Sequence, residues 1–256
     1  MTTFQITGTL HFTGSFHIGT GLSGRGVDRT IRRRSERIRK IGDSQSGDEF
    51  ESDTDETDAA ADYREVPEIA GDAIKGAIRG SAERIVRWLV PPGRAKEMQE
   101  ETGDSRPKHP ALRRIFAWQS LLGPGTPSVP SYRFGAPKYV AGGMISDIAS
   151  TAVGPDGIAK ARTLRVIELC SAGASFSFSI DGKAGEWDKP ESRDSLDLIL
   201  LAASIQATSH IGGKKGNGLG ETHFYGLSIS PGKEPLVTVE SLERLRDGLV
   251  AELPNV

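Results

Sequence analysis

A glycine-rich segment between a helix and a strand most constrains the fold of this chain. Residues 212–220 contain five glycines and two lysines, between a helical pattern at 195–208 and a strand-like run at 222–229. Glycine adopts positive φ without penalty, and its backbone amides can face an anion closely. The segment therefore predicts a loop that contacts a polyanion, with a flexible surface loop as the alternative. The candidate contact residues are Gly212, Gly213, Lys214, Lys215, Gly216 and Gly218.

The order of these elements argues against the common nucleotide-binding folds. A Walker A loop and a dinucleotide-binding loop each lie between a strand and a following helix, whose N-terminus receives the phosphates. In this chain the helix precedes the glycines and a strand follows them. An ATPase or a dehydrogenase is therefore a poor interpretation.

Composition indicates one intracellular domain. The chain has 256 residues, enough for a substantial core, and we expect a single domain over 1–256. Its one cysteine, Cys170, cannot form an internal disulfide, and the chain has neither a signal peptide nor an apolar run of transmembrane length. We expect a cytoplasmic protein with no membrane partner. One cysteine and five scattered histidines also fail to make the paired spacings of a zinc site.

Charge is strongly segregated although the net charge is only −2. Basic residues crowd positions 25–40, and positions 43–62 carry acidic residues with no basic residue among them. A dense like-charge block repels itself and lacks apolar anchors, so we expect a charged, disordered insertion over 29–65. The basic block is either a nucleic-acid contact or a solvated face.

A second glycine-rich loop follows the first strand. Residues 3–12 alternate apolar and polar side chains, which predicts a half-buried strand. The strand leads into a glycine-rich stretch that arginine borders and that ends at Asp28. We expect this loop to share in binding the polyanion. Its candidate residues are His17, Gly19, Gly21, Arg25 and Arg29.

A helix is predicted from Asp72, its expected N-cap, to the prolines at 91 and 92. Lys75 and Arg79 lie four residues apart on one face and are further candidates to contact the polyanion, together with Gly76. Gly76 and Gly80 each cost up to about 1 kcal/mol of helix propensity against alanine. Either a protein or nucleic-acid backbone approaches them closely, or they allow tight packing against a sheet.

The remaining pattern predicts an α+β fold with a ferredoxin-like βαββαβ core, the architecture also used by RNA-recognition modules. Residues 91–133 read as an irregular elaboration with a helical patch at 112–122. Strands are expected at 143–148, 163–169 and 175–180, and a helix at 196–207. The aromatic RNA-binding signature of those modules is missing, so RNA contact must come from loops.

Five features of the chain together resemble the RAMP superfamily, the repeat-associated subunits of CRISPR effector complexes. The pattern spans nearly the whole chain, and its order and spacing are specific. Residues 70–73 depart from it, since the family usually has Pro-Gly-Ser-Ser there. The features are the run Ile-Ala-Gly-Asp-Ala-Ile-Lys-Gly-Ala-Ile-Arg at 69–79, Phe134-Gly135, Ser146-Asp147, Glu168 with the following 173–176, and the glycine-rich loop before the last strand.

Within that superfamily the chain is most similar to the Cas-seven-like backbone subunit of type III complexes. The resemblance implies a filament of copies of this chain along a guide RNA (crRNA), bound to target RNA and to other CRISPR effector subunits in antiviral defence. It implies a β-hairpin thumb at 149–165. It also implies that Asp28 is the catalytic residue of a metal-dependent endoribonuclease that cuts target RNA at regular intervals, with a divalent cation such as Mg²⁺.

The chemistry assigned to Asp28 is reasonable independently of the resemblance. A carboxylate beside a strained phosphodiester can hold a divalent metal or align the ribose 2′-OH, after which the RNA cleaves itself. The alternative is an ordinary loop aspartate that pairs with Arg25 or Arg29.

Two other functions remain open from the sequence. One is a non-catalytic RAMP subunit, such as a type IV backbone or a type III end subunit. The other is a stand-alone guide-processing ribonuclease with a histidine base, since His17 and His210 both occur in the triplet His-Ile-Gly at a glycine loop.

Overall fold

A computed structural model describes residues 2–19, 31–37, 63–91, 109–116, 132–152, 154–160, 163–184, 192–213, 215–230 and 237–252. Helices and antiparallel sheets occur together, so the fold is α+β, as predicted. The described strands are β1 (Thr2–Phe12), β2 (Arg33–Arg37), β3 (Tyr63–Pro67), β4 (Tyr132–Phe134), β5 (Lys138–Ala141), β6 (Ile145–Ser150), β7 (Arg165–Cys170), β8 (Ser175–Ala184) and β9 (Thr222–Ser230). The described α-helices are α1 (Gly71–Leu89), α2 (Pro110–Phe116), α3 (Arg193–Gln206) and α4 (Val239–Ala251), and Lys215–Asn217 form one 3₁₀ turn.

The central sheet has the strand order β4-β8-β1-β9, and β5 also pairs with β8. Each of these pairings is antiparallel. The alternation predicted for β1 is confirmed, because Phe4, Ile6, Leu10 and Phe12 are all buried. Gly8 interrupts this apolar series because a Cβ there would lie 2.8 Å from the Phe178 ring.

The two long helices complete the core beside the apolar face of β1. Helix α1 buries Ile74 and Ile78, and α3 buries Leu198 and Leu201, in one cluster with the β1 side chains. Both helices lie where the sequence predicted them. Among the described residues, no helix combines the length and the apolar character needed to cross a membrane.

The N-cap of α1 lies two residues before the predicted one. Asp72 was expected to cap the helix, but Ala70 occupies the N-cap position and makes no side-chain cap hydrogen bond. Asp72 lies in the first turn, where its charge still favours the helix dipole. Gly71 is the first residue of the helix. A glycine is needed at this position because a Cβ there would lie 2.5 Å from the carbonyl oxygen of Phe134.

The edge of the central sheet was not predicted. The strand at 143–148 was expected in the core, but the described pairing of β6 is with β7, in a separate sheet. The strands β4 and β5 lie beside β8 instead, and β4 starts inside the stretch 91–133 that was predicted to be irregular. With three and four residues, these strands are too short for a period-two pattern to be recognised.

Helix α2 lies within that same stretch and is held by a partly buried ion pair. Arg114 contacts Asp197 of α3 through two hydrogen bonds of 2.6 and 2.7 Å, and it also reaches Glu252. Burial lowers the pKa of Arg114, but the bonds and charges of the two carboxylates outweigh it and raise the pKa above its usual value. The first part of the predicted helical patch 112–122 is helical, because α2 extends to Phe116. Residues 117–131 lie outside the described part.

The predicted insertion 29–65 is ordered at its two ends. Strands β2 and β3 pair in a two-stranded sheet, from Arg33 opposite Pro67 to Arg37 opposite Tyr63. Disorder was predicted for these ends from charge alone, but backbone pairing fixes them. Residues 38–62 lie outside the described part.

Strands β6 and β7 form a second two-stranded sheet, here called the ribbon. Its register runs from Ile145 opposite Cys170 to Ser150 opposite Arg165. Beyond the strands, a turn runs from Gly154 to Gly157, where the Gly157 amide donates to the Gly154 carbonyl over 3.0 Å. The stretch 149–165 includes the outer part of this ribbon and its turn, and its role as a thumb stays a prediction.

Candidate nucleic-acid interface

The two glycine-rich loops lie against each other at the end of the central sheet where β1 ends and β9 begins. The Gly213 amide donates to the His17 carbonyl over 3.0 Å, and the Gly220 amide donates to the Ser15 carbonyl over 2.8 Å. This juxtaposition follows from topology. Strands β1 and β9 are antiparallel neighbours, so the end of one and the start of the other share an edge, with Phe12 opposite Thr222.

The glycines of the loop at 212–220 serve two different purposes. Gly212 and Gly220 have positive φ, and a Cβ at either would lie within 2.6 Å of a backbone oxygen, so both are needed for packing. Gly216 is exposed, and a Cβ there or at Gly218 would meet nothing within 4 Å. Only the second pair leaves backbone open for an external partner.

His17 joins these loops to the ribbon. Its side chain is buried, and its Nδ1 lies 2.8 Å from the carbonyl oxygen of Glu168. Because a carbonyl oxygen can only accept a hydrogen bond, Nδ1 of His17 carries the proton in this bond. His210, the histidine of the second His-Ile-Gly triplet, has its Nδ1 3.0 Å from the hydroxyl oxygen of Ser209.

Glu168 is a buried carboxylate to which sequence reasoning assigned no role. It is 8% exposed in β7, its Oε2 accepts from the Ile31 amide over 2.9 Å, and its Oε1 accepts from Arg33. Arg33 also pairs with Glu65. Hydrogen bonds with Glu168 and then Glu65 raise the pKa of Arg33 above its usual value. A glutamate between Ile167 and Leu169, two apolar residues of a strand, was the signal that could have revealed it.

Part of the predicted basic block is therefore occupied within the chain. Arg33 binds two carboxylates, and Arg32 donates to Glu68 over 3.0 Å. For these two arginines the structure favours an intramolecular role over the predicted contact with a polyanion.

Several predicted site residues lie outside the described part of the chain. The ends of the loop after β1 are described: Gly19 and Ile31 form an isolated bridge, and the Arg32 amide donates to the Ile18 carbonyl over 3.0 Å. Within the described residues no three His, Cys, Asp or Glu side chains group as a metal site. The undescribed candidates are Gly21, Arg25, Asp28, Arg29 and Lys214.

The predicted helix candidates lie along α1. Among the residues that the structure describes, none lies within 4 Å of a Cβ placed at Gly76 or Gly80, so packing within this part of the chain does not explain either glycine. Nε of Arg79 lies 3.5 Å from Oε1 of Glu83, one helical turn further along α1, and Lys75 is half-buried. The Thr208 hydroxyl donates to the Ser81 hydroxyl oxygen over 2.9 Å and so links α1 to the segment that leads into the loop at 212–220.

Exposed apolar side chains lie on the ribbon and on the segments that border its strands. Every residue of β6 after Ile145 is exposed. Met144, Ile158 and Leu164 are 74, 66 and 69% exposed, and Ile148 is exposed between them.

Comparison with known proteins identifies the family. No curated protein matches the chain with significance. A family model described as the RAMP superfamily matches residues 9–223 and so includes both glycine loops, α1 and the ribbon. The chain belongs to the RAMP superfamily of CRISPR-associated, RNA-binding proteins.

Proposed function

We propose that this protein is a guide-RNA-binding backbone subunit of a type III CRISPR effector complex, and that Asp28 supplies the carboxylate for periodic cleavage of target RNA. The observation that carries the proposal is a convergence at one edge of the sheet. Two glycine-rich loops, both ends of the segment with Asp28, and the root of an apolar ribbon meet there.

Topology supports the proposed ferredoxin-like core. The order β9-β1-β8-β4, with α1 between β1 and β4 and α3 between β8 and β9 along the chain, is that of a split βαβ arrangement. In such a core the loops after the first strand and before the last strand share one edge, and both loops here are rich in glycine.

Guide binding would depend on backbone amides and lysines. The open backbone at Gly216 and Gly218 and the charges of Lys214 and Lys215 suit a phosphodiester chain, whose contacts position RNA without reading its sequence. The ribbon would act as the thumb, since its exposed Ile148, Ile158 and Leu164 can pack against bases that have been separated from their stack.

Cleavage would depend on the ribose 2′-OH. A target nucleotide unstacked beside the ribbon leaves its phosphodiester free to adopt an in-line geometry. Asp28 would hold a divalent cation, which supplies charge stabilisation at the phosphate, or would orient the 2′-OH itself. In either case a target with a 2′-deoxy sugar at the scissile position should survive.

The test is cleavage by the reconstituted complex with guide RNA and labelled target RNA. Asp28→Ala should keep guide and target binding, because a carboxylate repels phosphate, and should abolish cutting at regular intervals. Asp247→Ala, at an exposed aspartate of α4, is the matched control and should cut like the parent. A parent complex that binds target without cutting it, or an Asp28→Ala complex that cuts at the parental rate, would replace this proposal by a non-catalytic RAMP subunit.

A further inference from the structure

The central sheet presents its second face to solvent in the described part of the chain. Side chains alternate between the two faces along a strand, so the residues between the buried ones of β1 lie on the side away from α1 and α3. This side is here called the open face. In β1 it comprises Gln5, Thr7, Thr9 and His11, each of which is exposed or half-buried, and their partners in β8 and β9 complete it.

Strand pairing gathers three aromatic rings on the open face. His11 of β1 lies directly opposite His223 of β9. Tyr225 lies two residues further along β9, and its ring centroid is 6.3 Å from that of His11. Tyr225 is 51% exposed, and His223 is exposed as well. Nucleic-acid bases stack on such rings because every base has a flat π face.

A β-bulge keeps Tyr225 on this face. The register of β9 against β1 shifts between Tyr225 and Ser228, and Gly226 inside this interval has φ of 62°. A bulge inserts one residue and so changes the face to which the following side chains point. Phe224 before the bulge and Leu227 after it therefore both pack against the core, whereas strict alternation would put Leu227 beside Tyr225.

The polar groups of the open face suit an RNA strand. The Ser175 hydroxyl oxygen lies 2.9 Å from Nδ1 of His11, and Ser177 lies opposite Thr9 in the next row of the sheet. Hydroxyls both donate and accept, as the ribose 2′-OH does. Basic side chains also outnumber acidic ones there, which favours a polyanion. The charged side chains that the described strands place on this face are Arg133, Lys138, Lys183 and Asp181.

The open face is continuous with the two glycine-rich loops. The Thr222 hydroxyl, two residues after Gly220, donates to the His11 carbonyl over 2.9 Å. His223 follows directly, about 10 Å from Gly220 along an extended chain. An RNA strand whose phosphates follow the loops can therefore lay its bases on the rings at the adjoining end of this face.

We propose that the open face, through Tyr225, His223 and His11, binds the bases of single-stranded RNA, an inference that rests on the guide binding of the proposed function. RNA contact was expected from loops alone, because the chain lacks the aromatic signature of RNA-recognition modules. The three rings come from opposite ends of the chain instead, and they meet only through the pairing of β1 with β9. Stacking tolerates any base, so it suits guides of different sequence.

The test is RNA binding by the purified protein, measured by fluorescence anisotropy with unrelated single-stranded RNAs. For Tyr225→Ala we expect the Kd to rise about tenfold for every sequence, because a stacking partner is lost. The factor should be the same at every salt concentration, since tyrosine carries no charge, whereas loss of Lys214 and Lys215 should make the salt slope shallower. Tyr225→Phe keeps the ring and should bind like the parent.

Trp88→Ala is the matched control. Trp88 is 79% exposed on α1, which packs on the other face of the sheet, so this variant loses a larger ring and should bind RNA like the parent. RNA that carries iodouridine should cross-link on irradiation to the peptide that contains Tyr225. If Tyr225→Ala binds like the parent, if Trp88→Ala loses as much affinity, or if cross-links form only elsewhere, the inference is wrong.

Failure of the proposed function gives a different result. If the reconstituted complex does not cut target RNA but Tyr225→Ala weakens RNA binding, the catalytic proposal is wrong and the RNA surface stands. If the complex cuts target and Tyr225→Ala binds guide like the parent, only the inference is wrong. A second copy of the chain is the other candidate occupant. Weaker self-association of Tyr225→Ala in sedimentation velocity, with an unchanged Kd for RNA, would assign the face to that copy and overturn the inference.

Discussion

The backbone amide of Gly213 donates a 3.0 Å hydrogen bond to the carbonyl of His17. This bond joins two glycine-rich loops from opposite ends of the chain, and the ring of the same histidine bonds to Glu168 on the ribbon. The two loops therefore act as one surface, and its position relative to the ribbon is set by a buried side chain.

Gly212→Ala should disrupt the contact between the two loops. Gly212 has φ of 102°, and a Cβ there would lie 2.6 Å from the His17 carbonyl oxygen. We expect a loss of about 1–3 kcal/mol in the free energy of unfolding, measured by urea denaturation. Gly216→Ala is the control, because a Cβ there meets nothing within 4 Å. Equal losses in the two variants would contradict the packing role of Gly212.

Gly76→Ala should stabilise the isolated protein. Its Cβ would enter open space on an exposed face of α1, and alanine favours a helix interior over glycine by about 0.5–1 kcal/mol. Gly71→Ala in the same helix should instead destabilise by about 1 kcal/mol or more, because its Cβ would lie 2.5 Å from the Phe134 oxygen. Thermal unfolding of the two variants measures both signs. If Gly76→Ala weakens RNA binding while it raises stability, a nucleic-acid backbone approaches this face.

Replacement of Lys214 and Lys215 by alanine should weaken the binding of all single-stranded RNAs alike. Contact with about five phosphates predicts a log–log salt slope of roughly −3.5 for the parent protein, and the double variant should have a shallower slope. Fluorescence anisotropy with unrelated RNA sequences at several salt concentrations measures both quantities. A parental slope near zero would exclude polyanion binding by this loop.

His109 should make the protein less stable in mild acid. Burial lowers its pKa below the usual 6.5, against opposing contributions from the Leu249 carbonyl and Glu252. The unfolded chain therefore binds this proton more readily than the folded one. The contribution of His109 to stability is full above pH 6.5 and is lost as the pH falls below that value through the lower pKa of the folded state.

The measurement is the free energy of unfolding between pH 7 and pH 5. His109→Gln can still donate to the Leu249 carbonyl but does not titrate, so its stability should fall less over this range than that of the parent. Parallel pH profiles for the two proteins would show that another group causes the acid sensitivity.

The elements that the sequence predicted correctly are those whose pattern is local. Strand β1 was evident from the alternation of Phe4, Ile6, Leu10 and Phe12, because each side chain takes its face from its position along one strand. Helices α1 and α3 were evident from helical spacing and from the prolines that stop α1. The short edge strands β4 and β5 were missed, because they owe their pairing to β8 rather than to their own residues.

The sequence by itself also determined the family and the choice of loops that carry its candidate residues. Only the tertiary structure decided which of those residues meet. It brought His17 to Gly213, left Gly76 and Gly80 facing open space, and directed Arg33 to Glu168 instead of outward. The physical reason is the distance along the chain over which each kind of signal acts. Periodicity reports the neighbours of a residue along the chain, whereas the partner of a buried charge depends on which strands the whole fold brings together.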